Sequence, residues 1–504
     1  ADGFQIESGL RLQGGDFIRG RHTPHGPVPW SKYSFRLYFR GGYGESRLNH
    51  RLFPDLPLDE FEHVVLRAGM NDSINPFICD ELCRRLYRDL GHASSRGILA
   101  NLLLNGESQA YYNPTERVDI NFLRSRHGGG ARWDLIAQFG EIREGDDLEW
   151  RRFKSLTIGA DLTVPANYAK AAALIDLDNF IDYIMLCVYV DMDDWPYNNW
   201  RAGRERRAGA KWRFYIWDAE RSFGTDGKQM LGRQRRVVTS NNLTSGALAS
   251  RADIARIFQS FVANSEFRLR FADRVQKHYF NGGVLTDENI ALRHRELAEQ
   301  MKHVLPDMSP HIGEVWIPRR RAIVMEQMAS IDLQRSENAP RFRRHGGTVP
   351  ADFKLTLTAP VGRVRYTTDG TDPRGPNAHW FDRPISFDRH TTVKARTMTV
   401  GKWSALTEAT FTPEPLGFPV RFTEVMYDPI GGSEYEFVEL QNISQTEVDL
   451  SWHHIKGIDF LFRLQAKLGP GERILLANAT NPDALAKRYP RLKIYDRYNG
   501  SLAK

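Results

Sequence analysis

Residues 177–224 constrain the fold more than any other stretch. "LDNFIDYIMLCVYV", residues 177–190, is apolar on nearly every face. A helix with no side to offer water has to run through a core. Asp191, Asp193 and Asp194 follow it at once, then the pair Asn198–Asn199. After them "NWRAG" and "KWRFYIW" flank the basic turn "RERRAGA" and read as a hairpin, with Asp218 at the end of its second strand. The hairpin folds Asp218 back toward the loop that carries Asn199.

That order suits phosphoryl transfer. A carboxylate orients the attacking hydroxyl and takes its proton, hard oxygen ligands hold Mg²⁺ on the triphosphate, and a lysine steadies the inner phosphates. In protein kinases the first carboxylate lies on a loop, an asparagine ligand follows five residues later, and a hairpin ends in a second metal-binding aspartate. Here Asn199 lies five residues after Asp194, and Asp218 ends the hairpin. No His-Arg precedes Asp194 and no Asp-Phe-Gly stands at Asp218. The plainer alternative makes Asp194 a loop or capping acid and Asn198–Asn199 turn residues.

A chain of 504 residues is expected to form two to four domains, at about 100–200 residues each. Its 41% hydrophobic content is that of a globular protein and argues against wholesale disorder. The formal charge of +7 suits anionic partners without choosing among them. The clusters at Arg204–Arg207, Arg233–Arg236 and Arg319–Arg321 read as solvated faces. Three cysteines, Cys79, Cys83 and Cys187, make no disulfide framework and read as buried thiols. No apolar run reaches the roughly 18 residues of a membrane-spanning helix.

Along the chain, residues 1–70 read as strands, with "FQIESGLRLQGG" and "SFRLYFRGGYG" alternating and "RGRHTPHGPVPW" a loop between them. Residues 76–91 read as a helix, and "RGILANLLLNGESQAYYN" as a hairpin turning at Asn105–Gly106. Residues 248–334 are mostly helical in pattern. Polar, Gly- and Pro-containing residues 336–352 read as a linker. Short alternating runs follow at 353–413, and again at 418–504 after a joint at "EPLGFP", each suggesting a β-sandwich.

The motifs "DDWPYNNW" and "KWRFYIWDAERSFG" resemble those of the CotH family of spore-coat-type atypical protein kinases. The likeness extends to "KYSFRLYFRGGYGESRL", "VVLRAG", "LLLNGESQAYYNPTERVD" and "EFRLRFADRVQKHYFNGG", and covers roughly residues 3–334. It implies an α+β, kinase-like two-lobe fold over 1–335, with an N-lobe to about 118, and ATP and Mg²⁺ as cofactors. Carried over, Asp194 would orient the hydroxyl, Asn199, Asp218 and Glu220 would bind metal, and Lys32 would contact the inner phosphates. Gly14 and Gly15 would belong to the loop over the phosphates. Glu81 would pair with Lys32, and Glu116 would lie by the nucleotide near the hinge between lobes. Glu220 stands where the family usually has aspartate. In plain readings Lys32 is a strand-end lysine, Gly14–Gly15 a turn, Glu81 a solvated helix residue and Glu116 a surface ion pair.

"RVRYTTDGTDP" through "TVKARTMTVGKWSALTEATF" resembles the small β-sandwich appended to chitobiases and β-hexosaminidases. "VRFTEVMYDP", "EYEFVELQN" and "VDLS" resemble a lamin-tail domain, a sandwich of the immunoglobulin type, expected to be incomplete at 504. The combination implies a secreted or cell-surface bacterial protein that phosphorylates an extracytoplasmic protein, with the sandwiches contacting surface polymers or proteins and no nucleic acid involved. The rival is a non-catalytic surface scaffold on the same fold. A glycosidase built on Asp191, Asp193 and Asp194 is a weaker alternative. Walker A and G-x-S-x-G are both missing from the sequence.

Overall fold

The computed structural model describes residues 3–14, 33–56, 58–69, 78–128, 132–224, 237–302, 309–413, 418–463, 465–481 and 483–502. They fall into two compact units, one of Ala1–Gly347, Lys354–Ser386 and Thr391–Phe411, the other of Thr348–Phe353, Phe387–His390 and Thr412–Lys504.

The larger unit begins with strands β1 (Gly9–Gln13), β2 (Ser34–Tyr38), the short β3 (Leu48–Asn49) and β4 (Glu60–Phe61), and β5 (His63–Arg67). Helix α1 (Ile78–Asp89) and the hairpin β6 (Ala100–Leu104) and β7 (Glu107–Thr115) follow. Five of these strands form one sheet in the order β1-β2-β5-β7-β6. The expected turn at Asn105–Gly106 is present, with φ of 52° and 85°, the left-handed pair that a two-residue hairpin needs. Alternation sets the faces. Leu37 pairs with Val64 and Phe35 with Leu66, and Leu37, Val64 and Leu66 pack with Phe39, Leu48 and Phe53 in one core. Arg36, Val65 and Arg67 therefore stand on the other face.

The rest of the unit is mainly helical: α2 (Ile120–His127), α3 (Leu148–Thr157), α4 (Pro165–Ala172), α5 (Leu177–Tyr189), α6 (Asp253–Val262), α7 (Ser265–Tyr279), α8 (Asp287–Met301) and α9 (Ile317–Ala329). A second sheet interleaves with them, ordered β11-β10-β8-β9 from β8 (Trp133–Ala137), β9 (Ile142–Glu144), β10 (Trp200–Glu205) and β11 (Arg213–Ile216). As its all-round apolarity requires, α5 runs through the core with every residue but Asp178 buried. Its buried polar groups act as fasteners. Asn179 accepts from the Phe214 N–H at 2.6 Å and donates to the Tyr87 hydroxyl at 2.7 Å, and Asp182 pairs with His92 at 2.7 Å and with Arg274.

Arg320 corrects one expectation. It is fully buried rather than solvated, and donates to the carbonyls of Val188, Tyr189, Val238 and Ser240 at 2.6–2.9 Å. The last carbonyls of a helix lack intrahelical partners and carry partial negative charge, so a guanidinium there is favoured. Arg204 is likewise buried, and Arg206 pairs with Asp134 at 2.6 Å; Arg233–Arg236 lie outside the described residues. All three cysteines are buried and none is in a disulfide.

Residues 336–352, expected as a linker, carry structure: Arg341–Phe342 pairs with Leu357–Thr358. The following β-rich segment, built on Arg363–Thr367 and Thr391–Thr399, falls for the most part in the larger unit. Arg396, 2% exposed, places its guanidinium 2.6–2.7 Å from Asp273 on α7 and 3.0–3.1 Å from Asp372. Asp273 also accepts from the Leu406 N–H at 2.8 Å. Burial pushes the Asp273 carboxyl up even against that pairing. Arg396→Met is therefore expected to cost about 3–5 kcal/mol, because it strands a buried carboxylate. Denaturant unfolding of the full chain checks this, and an unshifted midpoint would refute the clamp.

In the smaller unit Val420–Met426, Phe437–Asn442 and Arg473–Asn478 pair antiparallel, and Asp496–Tyr498 adds in parallel to the third. Val438, Leu440, Leu468, Leu476 and Phe462 form its core.

Candidate functional site

The end of α5 and the hairpin β10–β11 bring the acids of residues 191–220 to one place. Beyond the carbonyls that Arg320 holds, the chain turns sharply. Asp191, Asp194, Asn199, Asp218 and Phe223 all have φ between 52° and 59°. Asp and Asn tolerate this left-handed region better than most side chains, and for phenylalanine it is strained. Such residues persist where surrounding contacts over-determine them, and they gather at functional sites.

The contacts here are specific. Trp195 donates its indole N–H to the buried Tyr183 hydroxyl at 2.9 Å. The Phe223 N–H donates to the Val190 carbonyl at 2.6 Å, and the Asp193 N–H to the Arg221 carbonyl at 2.7 Å. The Arg221 guanidinium reaches back to Asp193 at 2.5 Å and Asp194 at 3.1 Å. The loop after α5 and the segment after β11 are thus laced together. Trp200 pairs with Ile216, so Asn199, just before β10, lies beside the residues that lead into Asp218.

Asp218 and Glu220 meet the N-terminal sheet through Arg67 at the end of β5. One guanidinium nitrogen lies 2.6 Å from Asp218 Oδ1 and 2.5 Å from Glu220 Oε1, and Nε lies 3.2 Å from Asp80 on α1. Asp80 also accepts from the Ala219 N–H at 2.8 Å and pairs with Arg84 at 3.1 Å. Burial pushes the Asp80 carboxyl upward, but Arg67, Arg84 and the Ala219 N–H outweigh it and hold it below the ordinary carboxylate value. Arg67 is held well above its usual value by Asp80, Glu220 and Asp218 in spite of burial. Asp218 is the open member, its side chain 38% exposed against 10% for Glu220 and 6% for Asp80.

The sequence-predicted residues divide accordingly. Asp218 and Glu220 share one cation, and Asp194 is tied to the same segment through Arg221. The Asn199 side chain sits at the base of β10. Gly14 ends β1 with φ 142°. Gly15 and Lys32 lie outside the described residues.

Two of the expected acids are engaged by arginine groups. Glu81 is fully buried, and its carboxylate is taken by Arg84 at 2.7 Å and Arg85 at 2.9 Å, with Arg88 at 3.8 Å. Helical geometry explains this, since residues three and four apart share a face; its neighbour Asp80 is the one turned toward the acids. Glu116 is 8% exposed and accepts from Arg126 at 2.6 Å and from the Arg96 N–H at 2.9 Å. It clamps the passage from β7 to α2, and those donors occupy both of its oxygens.

Arg67, Asp80 and Arg221 escaped the sequence reading. The available signal was the parity of "HVVLR", which puts Arg67 on the face away from Val64 and Leu66.

Among the described residues no group of three or more His, Cys, Asp or Glu side chains converges as a ready cation site. The Asp218–Glu220 pair has hard oxygen donors, with Arg67 as their present counter-charge.

A family described as CotH kinase protein matches residues 18–311. One described as Fn3 associated matches residues 353–411, where the chitobiase-type sandwich was expected. No curated protein matches the chain.

Proposed function

Because the chain belongs to the CotH kinase protein family, we propose that it transfers the γ-phosphoryl group of ATP to Ser or Thr hydroxyls of an extracytoplasmic or surface protein. The observation that supports this most is the meeting of Asp218 and Glu220 with Arg67 and Asp80, beside an Asp194 tethered through Arg221. Residues from the N-terminal sheet and helix and from the helical body contribute together, as a kinase-like two-lobe arrangement requires.

The donor set fits magnesium in kind. Asp218 is open to solvent, Glu220 lies beside it, and the Asn199 amide makes no hydrogen bond to a described residue. These three would hold the ion, which when bound supplies counter-charge to the phosphates. Asp194, oriented by Arg221, accepts the proton of the attacking hydroxyl. The hydroxyl oxygen bonds to the γ-phosphorus, the bond from that phosphorus to the β–γ bridging oxygen breaks, and ADP leaves. Lys32 is assigned to the inner phosphates by family likeness alone.

A scaffold reading draws on the same Arg67, which already neutralises the acids without a metal. Intact mass after exposure to ATP and Mg²⁺ separates the readings. A gain of about 80 Da per event means phosphate, and about 329 Da means nucleotidyl transfer. No gain on the chain or on any offered protein favours the scaffold.

A further inference from the structure

The sheet face that carries Arg67 also carries guanidinium charge that meets few counter-ions among the described residues. Arg11 on β1 stands directly across from Arg36 on β2, a like-charge pairing that destabilises a sheet. Arg36 is 8% exposed, lies 4.6 Å over the Tyr38 ring, and has no hydrogen bond or ion pair to any described residue; its Nε is buried without a partner. Arg117, just after β7, also has a buried, unpartnered Nε, and its nearest carboxylate, Asp119, is 3.9 Å away.

The helical body faces this group with more of the same sign. Arg201 on β10 is 4% exposed and lies 4.3 Å over the ring of Trp217, the residue before Asp218. Its polar partners are neutral: the Gln138 side chain at 2.6 Å and the Trp200 carbonyl at 2.9 Å. Burial, with Arg117 and Arg11 nearby, pushes Arg36 down to about 10.

Among the described residues the carboxylates in range are already engaged. Asp119 caps α2 and contacts His63 as well as Arg117, Glu141 pairs with Arg143, and Asp218 with Arg67. Guanidinium charge without a counter-ion is costly to bury. The planar forks of arginine match phosphate oxygens two at a time. Several forks on neighbouring elements suit a chain of phosphates better than a single carboxylate.

We propose that Arg11, Arg36, Arg117 and Arg201 form an oligophosphate-binding subsite that takes two or three linked phosphates without a metal ion. It goes beyond the transferase reading and does not depend on it. The ligand is either the tail of a nucleoside triphosphate or a free polyphosphate.

The test is calorimetric titration of tripolyphosphate into the full chain in EDTA at low salt, with adenosine as control. Tripolyphosphate is expected to bind and adenosine not to. Arg11→Gln and Arg36→Met are each expected to weaken binding about tenfold or more. Arg11 is exposed, so its loss threatens no core. Arg36→Met removes an uncompensated buried charge and should keep or raise the wild-type Tm, which separates lost binding from lost folding. ATP displacing tripolyphosphate identifies the nucleotide tail as the source; both bound together identify free polyphosphate. No binding in EDTA, or both arginine variants binding as tightly as wild type, overturns the subsite. Failure of the transferase reading would show separately, as Asp218→Asn transferring label normally while this titration stays unchanged.

Discussion

Asp218→Asn is expected to cut transfer of labelled phosphate from ATP by on the order of 10²-fold or more, because the lost group acts where charge develops between phosphate and metal. The substitution keeps the size and the left-handed turn, which asparagine tolerates. It removes one carboxylate that Arg67 holds at 2.6 Å and leaves Glu220 and Asp80 in place. Fold and unfolding midpoint should therefore change little, so that lost transfer is read as lost chemistry. Label transferred at the wild-type rate would remove Asp218 from the site.

Arg67→Met should have the largest effect on stability, about 3–5 kcal/mol near neutral pH. It takes away a cation that Asp80, Glu220 and Asp218 share and leaves buried negative charge in its place. The pH dependence has a definite sign. In the native protein the Asp80 carboxyl is held below its ordinary value, so its pairing stabilises above the unfolded carboxylate pKa of about 3.9 and is lost as pH falls below it. Without Arg67 that advantage shrinks. The gap between variant and wild type should be widest near pH 7 and narrow as pH falls below about 3.9, as at about pH 3. Mg²⁺ should recover part of the loss, since an ion that binds only the folded state stabilises it by mass action. Denaturant unfolding at the two pH values, with and without Mg²⁺, measures all of this. Equal stability of variant and wild type would mean that Arg67 holds nothing together.

The readable features were those with short-range causes. An all-round apolar run forces burial wherever it sits, and α5 is buried. Asn105–Gly106 dictates a tight turn through its own backbone preferences. A hairpin over 200–216 follows from two apolar runs and a basic turn, and with it the approach of Asp218 to Asn199. Glu81 is paired with arginines of its own helix, its expected partner Lys32 lying outside the described residues; a helix carries Asp80 and Glu81 in adjacent positions, and only the packing decides which one turns inward to the acids. Arg320 was misjudged because a charge run looks solvated until the helix end that it caps is known to lie beside it.

By itself, then, the sequence determined which segments had to be buried and where the chain turned back on itself. It also fixed which acids the hairpin would deliver, because helix period, strand alternation and turn chemistry are properties of neighbouring residues. Only the tertiary structure decided which cation answers those acids and which carboxylates are spent on arginine clamps. It alone set the tie between the segment around Arg396 and α7. Those choices pair residues such as Arg67 with Asp218, or Asp273 with Arg396, that are far apart in the chain. No local preference couples such residues, and the low dielectric of the packed interior makes their pairing matter.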